Sequence, residues 1–428
     1  MNQQQPPNNP VGRILTASLI GTTIEFFDFY IFATASVMVF PKIFFPTSDP
    51  TTGMLKSFIL FAIAFLARPI GAAIFGHFGD RHGRKTTLVA ALMTMGPSTV
   101  AIGLLPGYAS IGIAAPVLLA LFRLGQGLGL GGEWGGAVLL ATEHAPPHKK
   151  AWYGMFPQLG APIGFLLSSA IFTILSLVMS PADFLSYGWR IPFLASALLV
   201  ILGLYVRLKI SETPEFTRVL NSKAQVRVPI ADVFVKNTKA IVLGTFGTVT
   251  TFLLFYLMTV FAPSWGMTAL HYSKISFLIM QMISMLFFAI GIPLSAVIAD
   301  RGGRNRMLII ATICIIIFGF VFAPLFTTGS KVITCAFLSL GMFLMGLTYG
   351  PIGTALAGIF PPAVRYTGSS MAFTLAGILG ASLTPAIALK LATNYGLPYV
   401  GYYLVFAAFV TLLALLGAKG LMKNEKGE

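Results

Sequence analysis

Charge is what this chain has least of. Of 428 residues only 10% are Asp, Glu, Lys or Arg, while 56% are hydrophobic. A soluble globular domain carries roughly 25% charged residues. This chain cannot cover a water-facing surface, so its solvent is largely lipid. Cysteine is almost absent, with Cys314 and Cys335 both in apolar runs. That excludes a disulfide framework and gives no metal spacing. The five histidines are His77, His82, His144, His148 and His271, and none pairs at ligand spacing with a second His or Cys. The chain also lacks a P-loop, a nucleophile elbow and a zinc signature. An enzyme is therefore not expected, and neither is a cofactor or metal. With no ATP motif, ATP hydrolysis is excluded as a source of energy, which leaves gradients of ions or solutes. The stretch from Met1 to Pro10 is polar and lacks a basic n-region. The first apolar run is expected to be a retained span and not a signal peptide.

What the chain does have is apolar length. A spanning helix needs about 20 apolar residues, and twelve such spans with short loops use up the sequence. The expected spans are 14–40, 57–79, 86–105, 114–141, 153–178, 191–208, 240–262, 275–298, 307–326, 332–359, 367–390 and 398–418. The long connection, 209–239, is polar and contains Pro214 and Pro229. It divides the chain into an N-terminal six-helix bundle over 1–208 and a C-terminal one over 240–428, joined by a cytoplasmic loop. The formal net charge of +15 invites a nucleic-acid reading, but its distribution argues against one. Twenty of the 28 Lys and Arg fall on the side of the N-terminus. Six, Lys42, Lys56, Arg190, Lys274, Lys331 and Lys390, fall on the other, and Arg68 and Arg123 fall inside spans. Alternation of this kind is the positive-inside signature. It predicts a multi-pass membrane protein with both termini cytoplasmic.

Two segments about 220 residues apart repeat each other. Gly79-Asp80-Arg81-His82-Gly83-Arg84-Lys85 recurs as Ala299-Asp300-Arg301-Gly302-Gly303-Arg304-Asn305. Each lies between two long apolar runs. Ala145-Pro146-Pro147-His148-Lys149-Lys150 likewise matches Phe360-Pro361-Pro362-Ala363-Val364-Arg365, and Met155 and Gly164 pair with Met371 and Gly380. Parallel six-helix repeats imply a cavity between halves near the bilayer midplane. Gly79 and Gly83 permit a tight turn, and Asp80 can stabilise a neighbouring helix N-terminus. Arg81, Arg84 and Lys85 can hold the anionic leaflet or pair with acids. A solvated basic turn accounts for one copy. Two matched copies point to a conformational latch made by Gly79, Asp80, Arg81, Gly83 and Arg84 with Asp300, Arg301 and Arg304.

The stretch from Gly76 to Lys85 resembles the loop 2–3 signature of the major facilitator superfamily. Arg123-Leu124-Gly125-Gln126-Gly127 resembles its fourth-helix Arg-x-x-Gln-Gly motif. Glu25-Phe26-Phe27-Asp28-Phe29-Tyr30, Ala67-Arg68-Pro69-Ile70-Gly71, Gly131-Gly132-Glu133-Trp134-Gly135-Gly136 and Gly188-Trp189-Arg190-Ile191-Pro192-Phe193 are narrower. They are similar to the metabolite:H+ symporter family, whose members carry shikimate, 2-oxoglutarate, citrate, or proline and glycine betaine. The resemblance covers essentially the whole chain. It implies an all-α integral membrane fold of twelve helices in two pseudo-two-fold related halves, working by rocker-switch alternating access. Gly160-Ala161-Pro162-Ile163-Gly164 partly resembles the antiporters' Gly-Pro motif, with alanine standing between the glycine and the proline.

Ionisable groups inside spans are expensive, at about 2.5–3.5 kcal/mol each on insertion scales, and are functional candidates by default. Five are expected here: Glu25, Asp28, Arg68, Arg123 and Glu133, all in the first half. Glu25 and Asp28 are three apart and share a helix face. Two nearby carboxylates in a low-dielectric site cannot both ionise cheaply, which suits a proton carrier. Glu25, Asp28 and Glu133 are the proton-coupling candidates. Glu133 has a second reading, as a gate partner of Arg84 or Lys150. Arg68 and Arg123, with Gln126, Tyr30, Gln158, Tyr256, Gln281 and Tyr349, are the substrate-binding candidates. A buried ion-pair network that only fixes helix packing accounts for the same charges. Pro69 is expected to kink span 2, and the span 4 glycines to serve close helix packing. Phe26, Phe27, Phe29, Tyr30 and Trp134 invite an aromatic cage for a quaternary ammonium, although aromatics in membrane helices more commonly pack. Two arginines against three carboxylates leave room for one proton, which favours a substrate with a carboxylate. The reading is a monomeric secondary transporter, a proton symporter of a small polar metabolite, with an uncoupled uniporter or exporter as the alternative. Its partners are that solute, protons and the bilayer, with no nucleic acid.

Overall fold

The computed structural model describes residues 11–222 and 226–421. Residues 1–10, residues 223–225 with Lys223, and residues from 422 on with Lys423 and Lys426 lie outside the described residues. Among the described residues there is no strand. Twelve helices are long and apolar enough to cross a membrane. They are α1 Val11–Met38, α2 Thr52–His82, α3 Arg84–Leu104, α4 Ala114–Glu143, α5 Pro147–Val178, α6 Pro181–Leu208, α7 Thr238–Thr268, α8 Ile275–Gly302, α9 Arg304–Phe326, α10 Lys331–Gly358, α11 Pro362–Tyr395 and α12 Pro398–Ala418. The largest departures from the expected bounds are irregular turns that extend a span. A 3₁₀ turn over Pro147–Lys149 opens α5, and a π turn over Phe184–Gly188 lies near the start of α6. The connection between α6 and α7 is not bare loop. It carries the short helices Pro214–Asn221 and Pro229–Lys236, each with proline at its start, where a missing N–H costs nothing. Helix α2 continues through Pro69.

The chain packs as two compact units. One holds α1–α4, α5 from Leu159 onward, and α6. The other holds α7–α12 together with Ala145–Gln158. Close backbone approach inside the first unit depends on the span 4 glycines. A Cβ on Gly127 would sit 2.7 Å from the Cα and the carbonyl oxygen of Ala64 in α2. On the opposite face, a Cβ on Gly129 would sit 2.8 Å from Ala91 O in α3. Helix α4 is thus wedged between two backbones that cannot move aside for a side chain. At the end of α3, Arg190 Nη1 donates to Gly103 O at 2.9 Å and Leu105 O at 2.6 Å. A cation there satisfies orphan carbonyls of the helix C-terminus. Its neighbour Trp189 is fully buried against Phe40 and Phe193.

The repeated sequences adopt repeated backbones. Gly83 has φ 106° and ψ 154°, and Gly303 has φ 95° and ψ 134°. Only glycine occupies this region without strain. Pro146 and Pro361 share φ −58° and ψ 149°, and each opens a three-residue 3₁₀ turn. Equivalent glycines also make equivalent contacts. A Cβ on Gly164 would meet Phe26 Cβ of α1 at 2.8 Å, and one on Gly380 would meet Phe252 Cβ of α7 at 2.9 Å.

Gly127→Leu is expected to lower the detergent-solubilised melting temperature and the monodisperse yield, since overpacking costs about 1–3 kcal/mol or more. Gly12→Ala, where a Cβ meets nothing, should leave both unchanged. Equal behaviour of the two variants would contradict the wedge.

Candidate proton and solute site

Asp28 sits at the centre of the first unit, 1% exposed. Thr99 Oγ1 of α3 donates to its Oδ2 at 2.7 Å, and Ser196 Oγ of α6 donates to its Oδ1 at 2.7 Å. Both carboxylate oxygens are therefore held. The Thr99 hydroxyl in turn accepts from Gln126 Nε2 at 2.8 Å. Gln126 Oε1 accepts from Arg123 Nη1 at 3.0 Å. A continuous polar chain thus runs from Arg123 through Gln126 and Thr99 to Asp28 and on to Ser196. The charge of Arg123 acts on Asp28 across it. Hydrogen bonds to a charged group are each worth about 1.5–3 kcal/mol, so the two hydroxyls offset much of the burial cost.

Arg123 also has an aromatic enclosure. Its guanidinium lies 3.9 Å from the ring centre of Phe32, 5.1 Å from Phe61 and 5.4 Å from Phe29. Phe26, Phe27, Phe29, Tyr30 and Trp134 pack, as the sequence favoured over a cage for a quaternary ammonium. Phe29 does face a cation, but that cation is the chain's own arginine. Phe27 packs in the apolar core, and Tyr30 packs on Phe26, Phe29 and Phe165. Trp134 is buried on α4, 2% exposed.

A second charged cluster lies along α1. Glu25 Oε1 accepts from Arg68 Nη2 at 3.4 Å. Glu133 Oε1 pairs with Arg207, which also donates to Leu88 O at 2.9 Å. Glu133 and Arg207 are close enough to act electrostatically on Glu25. Glu25 Oε2 and Glu133 Oε2 are buried with no hydrogen-bond partner among the described residues. Two expectations are corrected here. Glu25 and Asp28 are not held as a mutual pair: Glu25 reaches α2, whereas Asp28 reaches α3 and α6. A spacing of three leaves about 60° between side chains on a helix, enough to give each its own neighbours. Arg207, counted with the surface charges at the end of span 6, is instead 2% exposed. The buried cluster then holds three arginines against three carboxylates. The excess carboxylate, whose protonation was expected to leave a neutral site for a substrate carboxylate, is thereby matched by Arg207. Glu133 also faces Arg207 and not Arg84.

Arg84 belongs to the hinge. Its Nη1 donates to Gly79 O at 2.7 Å and lies 3.4 Å from Asp80 Oδ1, while Nη2 meets Glu143 Oε1 at 3.3 Å. The N-terminus of α3 is closed by Glu212, which accepts from the N–H of Arg84 at 3.0 Å and of Lys85 at 3.2 Å. The role expected of the hinge aspartate is filled in the second copy. Asp300 accepts from the N–H groups of Ala151 at 2.8 Å and Trp152 at 2.9 Å, at the start of α5. Arg304 Nη1 donates to Thr354 O at 3.4 Å. Arg81 and Arg301 are exposed.

The second unit buries no charged side chain among the described residues. Its neutral candidates form two groups. Gln158 Nε2 donates to Tyr349 O at 2.7 Å, and the Tyr349 ring packs on Phe288. Gln281 Nε2 donates to Thr259 O at 2.9 Å, one turn along α7 from Tyr256. Thr99, Ser196, Arg207, Glu143 and Glu212 escaped sequence reasoning. A hydroxyl inside an apolar span carries no local signal, and Arg207, Glu143 and Glu212 stand at or just beyond span ends, where charge is ordinary. No group of three or more His, Cys, Asp or Glu suited to a metal occurs among the described residues.

Twelve apolar helices, a backbone repeat and buried polar chemistry in one unit define a multi-pass membrane transporter. The Major Facilitator Superfamily model matches residues 18–385, and the chain belongs to that family. It is 54% identical to the inner membrane metabolite transport protein YhjE of Escherichia coli (strain K12), over 97% of this chain and 95% of that protein. It is 33% identical to the shikimate transporter of the same organism, over 97% and 95%. Among solved structures it is similar in fold to the proton:xylose symporter XylE bound to 6-bromo-6-deoxy-D-glucose. The TM-score is 0.77 at 17% identity, covering 96% of each chain. The chain is a metabolite transporter and not an enzyme.

Arg207→Ala strands the buried Glu133 carboxylate, and removing one partner of a buried pair costs about 3–5 kcal/mol. The double variant Glu133→Gln with Arg207→Met is expected to recover most of the lost thermal stability in detergent. A double variant as unstable as the single one would show that the pair is not the source of the loss.

Proposed function

We propose that this chain is a proton-coupled symporter of a small polar metabolite, with Asp28 as the principal proton carrier. The observation that supports this is the Asp28 site itself. A carboxylate buried in a membrane bundle is held by two hydroxyls and linked through Gln126 to an arginine. Such a group is costly wherever it stands in lipid and is a transport candidate by default. Glu25 and Glu133, each with one unoccupied buried oxygen, form a second proton-accepting pair in this reading. Arg68, 12% exposed, is the arginine of this cluster most open to a solute. Tyr30, Gln158, Tyr256, Gln281 and Tyr349 supply neutral contacts for hydroxyl or carbonyl groups.

The substrate proposed is a hydroxylated or keto organic acid, with a zwitterion such as proline or betaine next. Balanced buried charge supports this class in a new way. An anion that enters with one proton leaves the three-against-three balance unchanged, as does a zwitterion alone. The name of the shikimate transporter relative is consistent with it. The protein is proposed to act in the inner membrane with both termini cytoplasmic, by alternating access of bundles 1–208 and 240–428 joined by 209–239. The Asp80–Arg84 and Asp300 contacts act as its cytoplasmic latch.

In proteoliposomes with an imposed pH gradient, a screen of mono-, di- and tricarboxylates, shikimate, proline and betaine identifies the solute. Asp28→Asn is expected to reduce its accumulation to the equilibrium level while counterflow exchange persists. Normal accumulation in Asp28→Asn removes Asp28 from the proton path. Wild-type accumulation that ignores the pH gradient assigns uncoupled transport instead.

A further inference from the structure

The second unit has an open apolar groove between α8 and α10, of about 720 Å³. Met280, Ile283 and Phe287 of α8 form one wall, and Val332, Cys335, Ala336, Ser339, Leu340 and Phe343 of α10 the other. The two helices run side by side and touch further along. A Cβ on Gly291 would meet Phe343 O at 2.7 Å and the Cα of Gly346 at 3.1 Å, so the helices touch there. Toward their N-termini the α10 wall includes the small side chains of Cys335, Ala336 and Ser339. Lys331, the first residue of α10, also lines the groove. Lys331 forms no ion pair among the described residues. Helix α9 crosses between the hinge and this lysine, so Lys331 stands at the membrane face opposite Arg301 and Arg304.

We propose that this groove is a binding site for an anionic phospholipid of the leaflet in which α10 begins. One acyl chain lies between α8 and α10, and the headgroup phosphate meets Lys331. Lipid tails are as apolar as the groove, so burial there gains little from the hydrophobic effect. Shape and dispersion contacts hold the chain, and the volume falls within the roughly 300–1,000 Å³ of ligand sites. The charge chooses the headgroup. A lysine near the membrane surface attracts anionic lipid, and the positive end of the α10 helix dipole adds to it. Val332, 78% exposed beside Lys331, offers an apolar sill and no competing acid. The site is separate from the buried charges of the first unit, so its failure would not touch the proposed transport reaction.

Native mass spectrometry of the full chain in detergent tests this, with phosphatidylglycerol and phosphatidylcholine of identical acyl chains in competition. The wild type is expected to retain phosphatidylglycerol about fivefold better, the worth of one lysine near an anionic surface. Lys331→Ala should abolish the preference but keep a bound lipid, and Ala336→Trp should displace the lipid of either headgroup. A second measurement uses Cys335 as the lone thiol in a Cys314→Ala background. Phosphatidylglycerol should slow its reaction with a maleimide, and Lys331→Ala should remove that protection. Equal retention of the two lipids by the wild type, a preference surviving Lys331→Ala, or a Cys335 rate indifferent to phosphatidylglycerol would each overturn the proposal.

Discussion

The cost of placing charge in hydrocarbon governs this molecule. Water is not available to solvate a carboxylate inside a helical bundle, so every buried charge requires a partner from another helix. Glu25 takes Arg68, and Glu133 takes Arg207. Asp28 takes two hydroxyls and the more distant charge of Arg123. Each partnership ties two helices together and fixes their rotation. The positions of α1, α2, α3, α4 and α6 are thus tied to the contacts of three buried carboxylates.

The two packed units differ in chemistry, although the two sequence halves share backbone conformations. Their hinges, proline turns and helix-contact glycines agree closely in conformation. Yet the first unit concentrates the buried charges, and among the described residues the second buries only neutral polar groups such as Gln281, Thr348 and Thr374. Conformational symmetry and chemical asymmetry are compatible because they rest on different residues. Gly83, Gly303, Pro146 and Pro361 dictate backbone shape, whereas Glu25, Asp28, Arg123, Glu133 and Arg207 dictate charge. Even the hinges diverge at the level of side chains. Arg84 is surrounded by acids, whereas Arg304 reaches a backbone carbonyl.

Helix-to-helix distance is set by side-chain size in both units. In the first, Gly127 and Gly129 let α4 touch α2 and α3, which brings Gln126 within reach of Thr99. In the second, Gly291 and Gly346 let α8 touch α10, and the apolar groove lies between the same two helices nearer Lys331.

The chain's amino acids by themselves determined that it is an all-helical membrane protein of twelve spans with an internal repeat. They did so because lipid acts on each segment separately, so composition and length over about 20 residues suffice. The run expected over 114–141 is helix Ala114–Glu143, and the run over 398–418 is Pro398–Ala418. Asp28 and Arg123 were conspicuous for the same reason, as charges inside apolar runs. Tertiary structure alone decided what those charges meet. Ser196 lies 168 residues from Asp28, and Arg207 lies 74 from Glu133. No local pattern marks one serine among many as a carboxylate's donor, or tells a buried arginine near a helix end from a solvated one. A three-residue spacing suggested that Glu25 and Asp28 face each other, but the helices packed around α1 gave each carboxylate a different partner. Partnership between distant side chains depends on how helices rotate against one another, and that is settled only when the whole bundle closes.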